Sequence, residues 1–155
     1  MSMAYFVAMK SKDTSTKTGA VIVGPNNEIR STGYNGLPRC VNDDVPERFE
    51  RPDKYLWTEH AERNAVYNSP LSCNNCDIYI AGLPPCADCA RAIIQSRIRR
   101  VVIDAHWAKV PTHPEWQRSC DVGKIMLIEA GVDYKYYDGE LVLQTATLCN
   151  GKPLF

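Results

Sequence analysis

Two short segments of the sequence combine residue types that hold and use a metal ion. The first is His60-Ala61-Glu62, and the second is Cys86-Ala87-Asp88-Cys89. Two cysteines three residues apart at the start of a helix place both sulfurs on one side, which suits two corners of a zinc tetrahedron. His60 supplies a third, neutral nitrogen ligand. Three protein ligands leave the fourth position for water, as in catalytic zinc sites.

Glu62 is the predicted proton acceptor beside this metal. Residues two apart in mid-helix point to opposite sides, so Glu62 meets His60 only if His60 lies at a helix end. Two thiolates cancel the charge of Zn²⁺, so helix dipoles and Glu62 must complete the activation of the water. A structural zinc site, or cysteines that are merely buried, is the alternative interpretation. The H-x-E segment ahead of the C-x-x-C segment disfavours it.

The remaining pattern predicts the elements that position these segments. Predicted helices cover residues 3–9, 59–68, 86–96 and 115–130, and predicted strands cover residues 19–24, 28–34, 77–81 and 100–104. Pro25-Asn26-Asn27 predicts a turn, residues 36–56 a long loop, and Asp138-Gly139 a final hairpin. In the last helix Val122, Ile125 and Met126 share one face. The order predicts one domain over residues 1–155, an α/β fold of three layers (α/β/α) around a mixed sheet of about five strands.

Composition limits the possible partners and the compartment. Lys plus Arg and Asp plus Glu number 18 each, so the formal net charge is zero. A neutral chain lacks the cationic surplus that nucleic-acid polymers and anionic membranes attract. No apolar run approaches the roughly 20 residues of a membrane span, and residues 1–6 do not read as a secretion signal. We therefore expect a cytoplasmic protein, in which closely spaced cysteines indicate metal ligands before disulfides.

The two metal-binding segments together form the H-x-E…P-C-x-x-C signature of zinc nucleobase deaminases. Four further features resemble the deoxycytidylate (dCMP) deaminase family, which has a cytidine deaminase-like fold. They are the opening segment Ser11–Val23, the Gly-Tyr-Asn-Gly loop in Gly33–Arg39, the segment Glu59–Asn64, and the pair Ile93–Ser96 and Glu129–Val132. The resemblance implies zinc-dependent hydrolysis of dCMP to dUMP and ammonia, which supplies dUMP for thymidylate synthesis. In that reaction activated water attacks C4 while Glu62 takes the water's proton, protonates N3, and later delivers a proton to the departing amino group.

The resemblance also implies roles for substrate-binding residues. Asn35 hydrogen bonds the nucleotide sugar, although a turn asparagine would do as well structurally. Ala61 presents its backbone N–H to the pyrimidine, since the start of a helix leaves that donor free. Within residues 105–109, Trp107 packs on the nucleotide and Lys109 or His106 meets the phosphate; an ordinary surface loop is the alternative.

Regulation is the last expectation from the resemblance. It implies a homohexamer that dCTP activates and dTTP inhibits, with Mg²⁺ accompanying the effector. The implied effector site uses the residues Lys12, Gly33, Tyr34, Gly36 and Arg39. An unregulated oligomer that uses the same loop only for substrate is the alternative.

Other assignments remain in competition. Related zinc enzymes deaminate cytidine, tRNA adenosine or a riboflavin precursor, and a non-catalytic nucleotide-binding protein is a further class. Some relatives hold a second, structural zinc, but Asp13 and Thr14 stand where cysteines are needed and no histidine precedes His60. One zinc per chain is therefore expected. Cys73-Asn74-Asn75-Cys76 lacks a further ligand pair and is interpreted as paired or free surface thiols, with a second zinc site as the alternative. Cys40 alone is not a site.

Overall fold

A mixed five-stranded sheet forms the centre of the protein. The computed structural model describes residues 1–142, together with the backbone of two short strands, β6 (Leu148–Cys149) and β7 (Lys152–Pro153). The sheet has the order β2-β1-β3-β4-β5. Its strands are β1 (Gly19–Val23), β2 (Ile29–Tyr34), β3 (Asp77–Ala81), β4 (Arg100–Asp104) and β5 (Asp133–Tyr137). β1 is antiparallel to both β2 and β3, whereas β3, β4 and β5 are parallel. The predicted mixed sheet of about five strands is confirmed.

Helices cover both faces of this sheet, which confirms the three-layer class. They are α1 (Ser2–Ala8), α2 (Lys54–Trp57), α3 (Ala61–Tyr67), α4 (Ala87–Gln95) and α5 (Pro114–Glu129). α1 lies against Gly19, where a Cβ would stand 2.0 Å from the Ala4 carbonyl oxygen. α3 lies against the opposite face at Gly33, where a Cβ would stand 2.2 Å from the Ala61 carbonyl oxygen. Two glycines in adjacent strands thus admit one helix on each side.

The main core lies between the sheet and the helices α3, α4 and α5. Alternate strand residues point into it, as the two-residue period of a strand requires. Its buried members include Ala20, Ile22, Ile78, Ile80, Val101, Ile103, Ile93 and Leu127. A smaller cluster under α1 contains Ala4, Val21 and Ala81. In the part of the chain that the structure describes, we find no helix long and apolar enough to cross a membrane.

The two ends of β3 lie at opposite edges of the sheet. We call the edge where β3 ends the exit edge; it gathers residues 16–19, 34–36, 81–86 and 104–107. We call the edge where β3 begins the entry edge; it gathers residues 23–29, 73–77 and 97–100. Five strand residues separate them by about 16 Å.

The predicted loop over residues 36–56 contains more regular structure than expected. Pro46–Phe49 forms a 3₁₀ helix and Lys54 begins α2. Helical period could not reveal such short pieces, because one turn contains too few positions to repeat. In α2 the usual distribution is inverted, since Lys54 is buried while Tyr55, Leu56 and Trp57 are exposed.

Of the three apolar residues that share one face of α5, only one packs against the core. Met126 packs against the core, but Val122 and Ile125 are 42% and 55% exposed. The buried residues of this helix are Cys120, Gly123 and Leu127. Gly123 explains the choice of face, because a Cβ there would stand 2.6 Å from the Pro85 carbonyl oxygen. α5 therefore packs through its small residues against the loop before α4.

The predicted hairpin at Asp138-Gly139 is not formed by the residues described. β5 pairs with β4, and residues 138–142 form no strand. The rest of the segment expected to return along β5 lies outside the described residues.

Candidate functional site

The three predicted metal ligands meet at the exit edge. The Nδ1 atom of His60 lies 3.3 Å from Cys89 Sγ and 3.4 Å from Cys86 Sγ. Zinc bonds of the usual lengths at a tetrahedral angle require a nitrogen–sulfur separation of about 3.5 Å. All three ligand atoms lie within 4.8 Å of one another. The donor set of one imidazole and two thiols therefore fits a zinc ion with one position left open.

Helix starts place these ligands as the spacing predicts. His60 is the N-cap of α3 and Cys86 is the N-cap of α4, both with extended backbone. Cys89 lies in the first turn of α4, on the same side as Cys86. The N-terminal ends of two helices thus converge on one point, and their dipoles favour negative charge there. The expectation that His60 lies at a helix end is confirmed.

Glu62 lies beside the ligands, in the first turn of α3, with its side chain buried. Burial raises the pKa of its carboxyl, although the charge of His60 acts in the opposite direction. A buried carboxyl whose pKa is raised takes up a proton more readily than an exposed one and can pass it on to a neighbouring group. This is the property that a proton shuttle requires.

The two thiols share charge and proton unequally. A hydrogen bond from Cys89 and contact with His60 lower the pKa of Cys86 to about 3, against the effect of burial. The hydrogen bond to Cys86, together with burial, raises the pKa of Cys89 well above the usual range. The surroundings of Cys86 therefore favour its thiolate, and both thiols must give up their protons to bind a metal.

Four residues around the ligands were given no site role from the sequence: Trp116, Cys120, Glu59 and Arg63. The ring of Trp116 packs on His60 with centroids 5.4 Å apart, and Cys120 packs against Cys86 and donates to the Pro84 carbonyl oxygen. Arg63 pairs with Glu59, four residues before it, and lies 3.8 Å from Asp88 in α4. The i, i+4 spacing of Glu59 and Arg63 was the available signal for that pair. No sequence signal pointed to Trp116 or Cys120, because their contacts with the ligands are tertiary.

The structure brings Asn35 to the exit edge but already occupies part of its side chain. Its Oδ1 accepts the Thr18 amide at 2.8 Å, and its Nδ2 donates to the Thr16 carbonyl oxygen at 2.9 Å. An amide has two further hydrogen-bonding positions, one acceptor and one donor. Contact with a sugar therefore stays a prediction. Ala61 is the first residue of α3, buried, with a backbone N–H that has no acceptor within the helix.

The segment after β4 also reaches this edge, through Trp107. The indole N–H donates to the Tyr5 hydroxyl at 3.0 Å, and that hydroxyl donates to Asp104 Oδ2 at 2.6 Å. Trp107 is half-buried beside Leu83 and Pro84 in a cavity of about 200 Å³. His106 and Lys109 are exposed, and their predicted contact with phosphate stays a prediction.

The implied effector residues make separate contacts within the part of the chain that the structure describes. Lys12 is exposed and pairs with Asp43 and Asp44 at 2.9 and 3.3 Å. Arg39 is exposed and hydrogen bonds to Asn68. Gly33, Tyr34 and Gly36 form the end of β2 and the residues after it, with Gly33 packed against α3. Their effector role stays a prediction.

The second C-x-x-C motif is not a surface feature. Cys73 and Cys76 are 5% and 0% exposed and belong to the main core at the entry edge. The expectation of surface thiols is therefore wrong, because the turn before β3 folds inward and packs both sulfurs against aliphatic side chains. Among the residues that the structure describes, the grouped metal-ligand candidates are His60, Cys86 and Cys89 alone.

Comparison with known proteins identifies the family of this chain. Residues 1–105 match the family model described as the cytidine and deoxycytidylate deaminase zinc-binding region. A probable deoxycytidylate deaminase of Caenorhabditis elegans is 41% identical over 106 residues, 65% of this chain and 53% of that protein. An uncharacterised deaminase of Aliivibrio fischeri is 38% identical over 131 residues, 84% of this chain and 86% of that protein. The chain spans about half of the length of the nematode relative.

A solved structure shares the fold. The dCMP deaminase from the cyanophage S-TIM5, in complex with dCMP and dUMP, superposes with a TM-score of 0.67. The match covers 87% of this chain and 91% of that one at 23% sequence identity. The family model covers residues 1–105, and the structural match covers more of the chain. The shared fold therefore includes the sheet and the helices around those residues.

Proposed function

Since this chain belongs to the cytidine and deoxycytidylate deaminase family, we propose that it is a zinc-dependent hydrolase that converts dCMP to dUMP and ammonia. The observation that carries the proposal is the buried Glu62 beside a three-ligand metal set. A site that only bound nucleotide, or only stabilised the fold, would need no buried proton acceptor next to an open metal position.

The metal would be held by His60, Cys86 and Cys89. Zinc, when bound, polarises a water molecule and lowers its pKa toward neutrality. Glu62 would accept a proton from the attacking water as the water oxygen bonds to C4 of the cytosine, and would pass that proton to N3. It would then take the second proton of the same oxygen and give it to the amino nitrogen, which leaves as ammonia when its bond to C4 breaks and the C4 carbonyl forms. The raised pKa of Glu62 suits both directions of transfer.

The neighbouring elements would orient the substrate. The free N–H of Ala61 is placed to meet the pyrimidine, and the remaining acceptor and donor of Asn35 are available to the sugar. Trp107 would cover the nucleotide from the segment after β4, with Lys109 or His106 at the 5′-phosphate. The position of these three regions at the exit edge supports this arrangement.

One experiment tests the substrate. Ultraviolet assays would compare dCMP, CMP, deoxycytidine and dCTP side by side. Because a charge-assisted contact to phosphate is stronger than a neutral one, dCMP should exceed deoxycytidine in kcat/KM by about 100-fold or more. Lys109→Ala should narrow that ratio, and Lys135→Ala, an exposed change on β5, should not. Equal kcat/KM on dCMP and deoxycytidine would contradict a nucleotide-level enzyme.

Regulation is the finer part of the proposal. We propose a homohexamer activated by dCTP and inhibited by dTTP, with Mg²⁺ bound to the effector. The exposed Val122, Ile125 and Ile128 of α5 support association between chains, since contiguous exposed apolar residues mark interaction surfaces. Lys12 and Arg39 supply charge beside the loop that contains Gly33, Tyr34 and Gly36.

The regulatory test is a dCMP saturation curve with and without dCTP and Mg²⁺, beside light scattering for mass. The curve should be sigmoidal alone and hyperbolic with dCTP, through a coupling of about 1–3 kcal/mol. A hyperbolic curve that neither dCTP nor dTTP changes would overturn the regulatory part and leave the catalytic part standing.

A further inference from the structure

Asp13 and Lys54 form a buried ion pair whose function the chemistry of deamination does not explain. Lys54 Nζ lies 2.8 Å from Asp13 Oδ2, and the two residues are 6% and 3% exposed. They are 41 residues apart in sequence and join the loop before β1 to the start of α2. Buried ion pairs lose much of their attraction to desolvation, so stability alone is a weak reason for one. A role in fixing geometry is the better-attested use.

The remaining bonds of the pair organise the turn at residues 13–16. Asp13 Oδ1 accepts the Ser15 and Thr16 amides at 2.8 and 3.1 Å, as well as the Ser15 hydroxyl. Lys54 Nζ also donates to Ser15 Oγ at 2.6 Å. The side-chain polar atoms of Asp13 and Lys54 are thus all bonded within this turn or to each other. Lys54 is the member of the pair that comes from outside the turn.

That turn in turn holds Asn35. The Thr16 carbonyl oxygen and the Thr18 amide bind the two ends of the Asn35 side chain. The Ser11 hydroxyl, which accepts the Asp13 amide, donates to the Asn35 carbonyl oxygen at 2.7 Å. Both the side chain and the backbone of Asn35 therefore depend on the segment that Asp13 shapes.

The chain closes this set of contacts into a ring. Gly36, next to Asn35, pairs with Glu59 through two backbone hydrogen bonds of 3.1 and 2.8 Å. Glu59 precedes the metal ligand His60 and follows α2, which begins at Lys54. Lys54 is therefore connected to both sides of the site. Its side chain binds the turn that holds Asn35, and its backbone begins α2, which leads to Glu59 and His60.

We propose that Asp13 and Lys54 are positioning residues that set the Asn35 side chain relative to His60 and so fix the nucleotide sugar over the metal. The proposal rests on the proposed function, because the sugar contact of Asn35 belongs to it. The pair acts through Asn35 and touches neither the metal ligands nor Glu62.

Hydrogen exchange tests the holding of Asn35 without any assay of activity. In Lys54→Met, exchange should accelerate about tenfold or more in peptides covering residues 13–18 and 35–36, because the Thr18 amide bonds to Asn35. Peptides from α4 should keep wild-type rates. Lys135→Met is the matched control, since it breaks an exposed pair with Asp133 at 3.1 Å. Unchanged exchange over residues 13–18 would overturn the proposal.

Kinetics on dCMP test whether the pair acts through Asn35. Lys54→Met should raise KM about tenfold while kcat stays within about threefold and the zinc content stays at wild type. In the double variant Lys54→Met/Asn35→Ala, KM should equal that of Asn35→Ala alone, because residues acting as one unit are not additive. If the KM increases of the two single variants multiply in the double variant, Lys54 acts by a route other than Asn35. The same conclusion follows if Lys54→Met lowers thermal stability and leaves KM unchanged.

A milder variant guards against simple misfolding. Ser15→Ala removes one acceptor of Lys54 but leaves the ion pair, and should change exchange and KM in the same directions by a smaller factor. If Lys54→Met does not fold, a Ser15→Ala protein with wild-type exchange and KM overturns the proposal. If wild type fails to turn over dCMP, the proposed function fails, while the exchange experiment still decides whether Lys54 holds Asn35.

Discussion

Two C-x-x-C motifs of identical spacing lie at opposite ends of β3 and have different surroundings. Cys86 and Cys89 begin a helix at the exit edge and meet His60. Cys73 and Cys76 form a turn at the entry edge and pack into the main core. Spacing supplies two sulfurs in each case, but a third ligand and a helix start make only the first pair fit a metal.

Their neighbouring carboxylates differ in the same way. Glu62 is buried beside the first motif with no cation bound to it among the side-chain pairs described. Asp77 directly follows the second motif and is bound by Arg99 at 2.8 Å and Arg100 at 3.4 Å. Glu62 therefore has no cationic side-chain partner among the described pairs, whereas Asp77 links β3 to the start of β4. Chemistry in this fold depends on which groups are left unengaged.

Removing one sulfur from each motif should give the largest difference. Metal analysis of the purified protein should find about one zinc per chain. Cys86→Ser should lose it, because a hydroxyl is a poor ligand and only two donors remain, whereas Cys73→Ser should retain it. Two zincs per chain, falling to one in Cys73→Ser, would show that the entry edge also binds metal.

The next largest effect is expected from replacing Glu62, the carboxylate beside the first motif. Glu62→Gln keeps size and polarity but cannot accept a proton, so turnover of dCMP should fall about 100-fold or more, with zinc content unchanged. Glu129→Gln, an exposed change at the end of α5, serves as control. Near-normal turnover in Glu62→Gln would remove the mechanism.

Acid should weaken the buried ion pair between Asp13 and Lys54. Burial alone would raise the pKa of Asp13, but hydrogen bonds from Lys54, Ser15 and Thr16 outweigh it and lower that pKa. A lowered pKa stabilises the fold above the unfolded value, near 4, and the contribution disappears as pH falls through the folded value. Asp13→Asn, which leaves Lys54 unpaired, should cost about 3 kcal/mol of unfolding free energy at pH 7.

Urea unfolding between pH 7 and pH 3 measures this effect. The difference between wild type and Asp13→Asn should narrow below about pH 4. Asp133→Asn at the entry edge, whose pair with Arg100 is exposed, should show a smaller difference at pH 7. A constant gap for Asp13→Asn across the range would contradict an ionised, paired Asp13.

The smallest effect belongs to the second motif as a packing element. Cys73→Ser buries a hydroxyl among apolar side chains and should cost about 1–3 kcal/mol of unfolding free energy. The kcat on dCMP should not change. Cys40→Ser, at an exposed position, should stay within about 0.5 kcal/mol. If folded Cys73→Ser lost turnover, the packing at the entry edge would have to influence the site at the exit edge, which would contradict this prediction.

The metal site was predictable because its signals are local. The ligands and Glu62 lie at helix starts, as the H-x-E…P-C-x-x-C spacing predicts, and strands 77–81 and 100–104 were predicted to the residue. The Asp13–Lys54 pair could not be foreseen, because nothing within a helical or strand period connects residues 41 apart. It depends on how the chain between them folds.

The buried face of α5 could not be predicted for a physical reason of the same kind. Hydrophobicity favoured Val122 and Ile125, but close approach to the loop before α4 required the small residue Gly123. Size at a contact outweighed hydrophobicity along the helix. The burial of Cys73 and Cys76 was missed for a related reason, since a polar Asn-Asn turn gives no sign that its flanking sulfurs point inward.

The turn between β1 and β2 offers a handle for engineering. Residues 25–27 lie exposed at the entry edge, closed by the Gly24 amide on the Glu28 carbonyl oxygen and the Asn27 amide on Gly24. Exposed turn tips of small polar residues tolerate insertions. A peptide tag or a fluorophore attached there would sit one strand length, about 16 Å, from the exit edge. The protein could thus be tethered to a surface with its reactive edge facing solution.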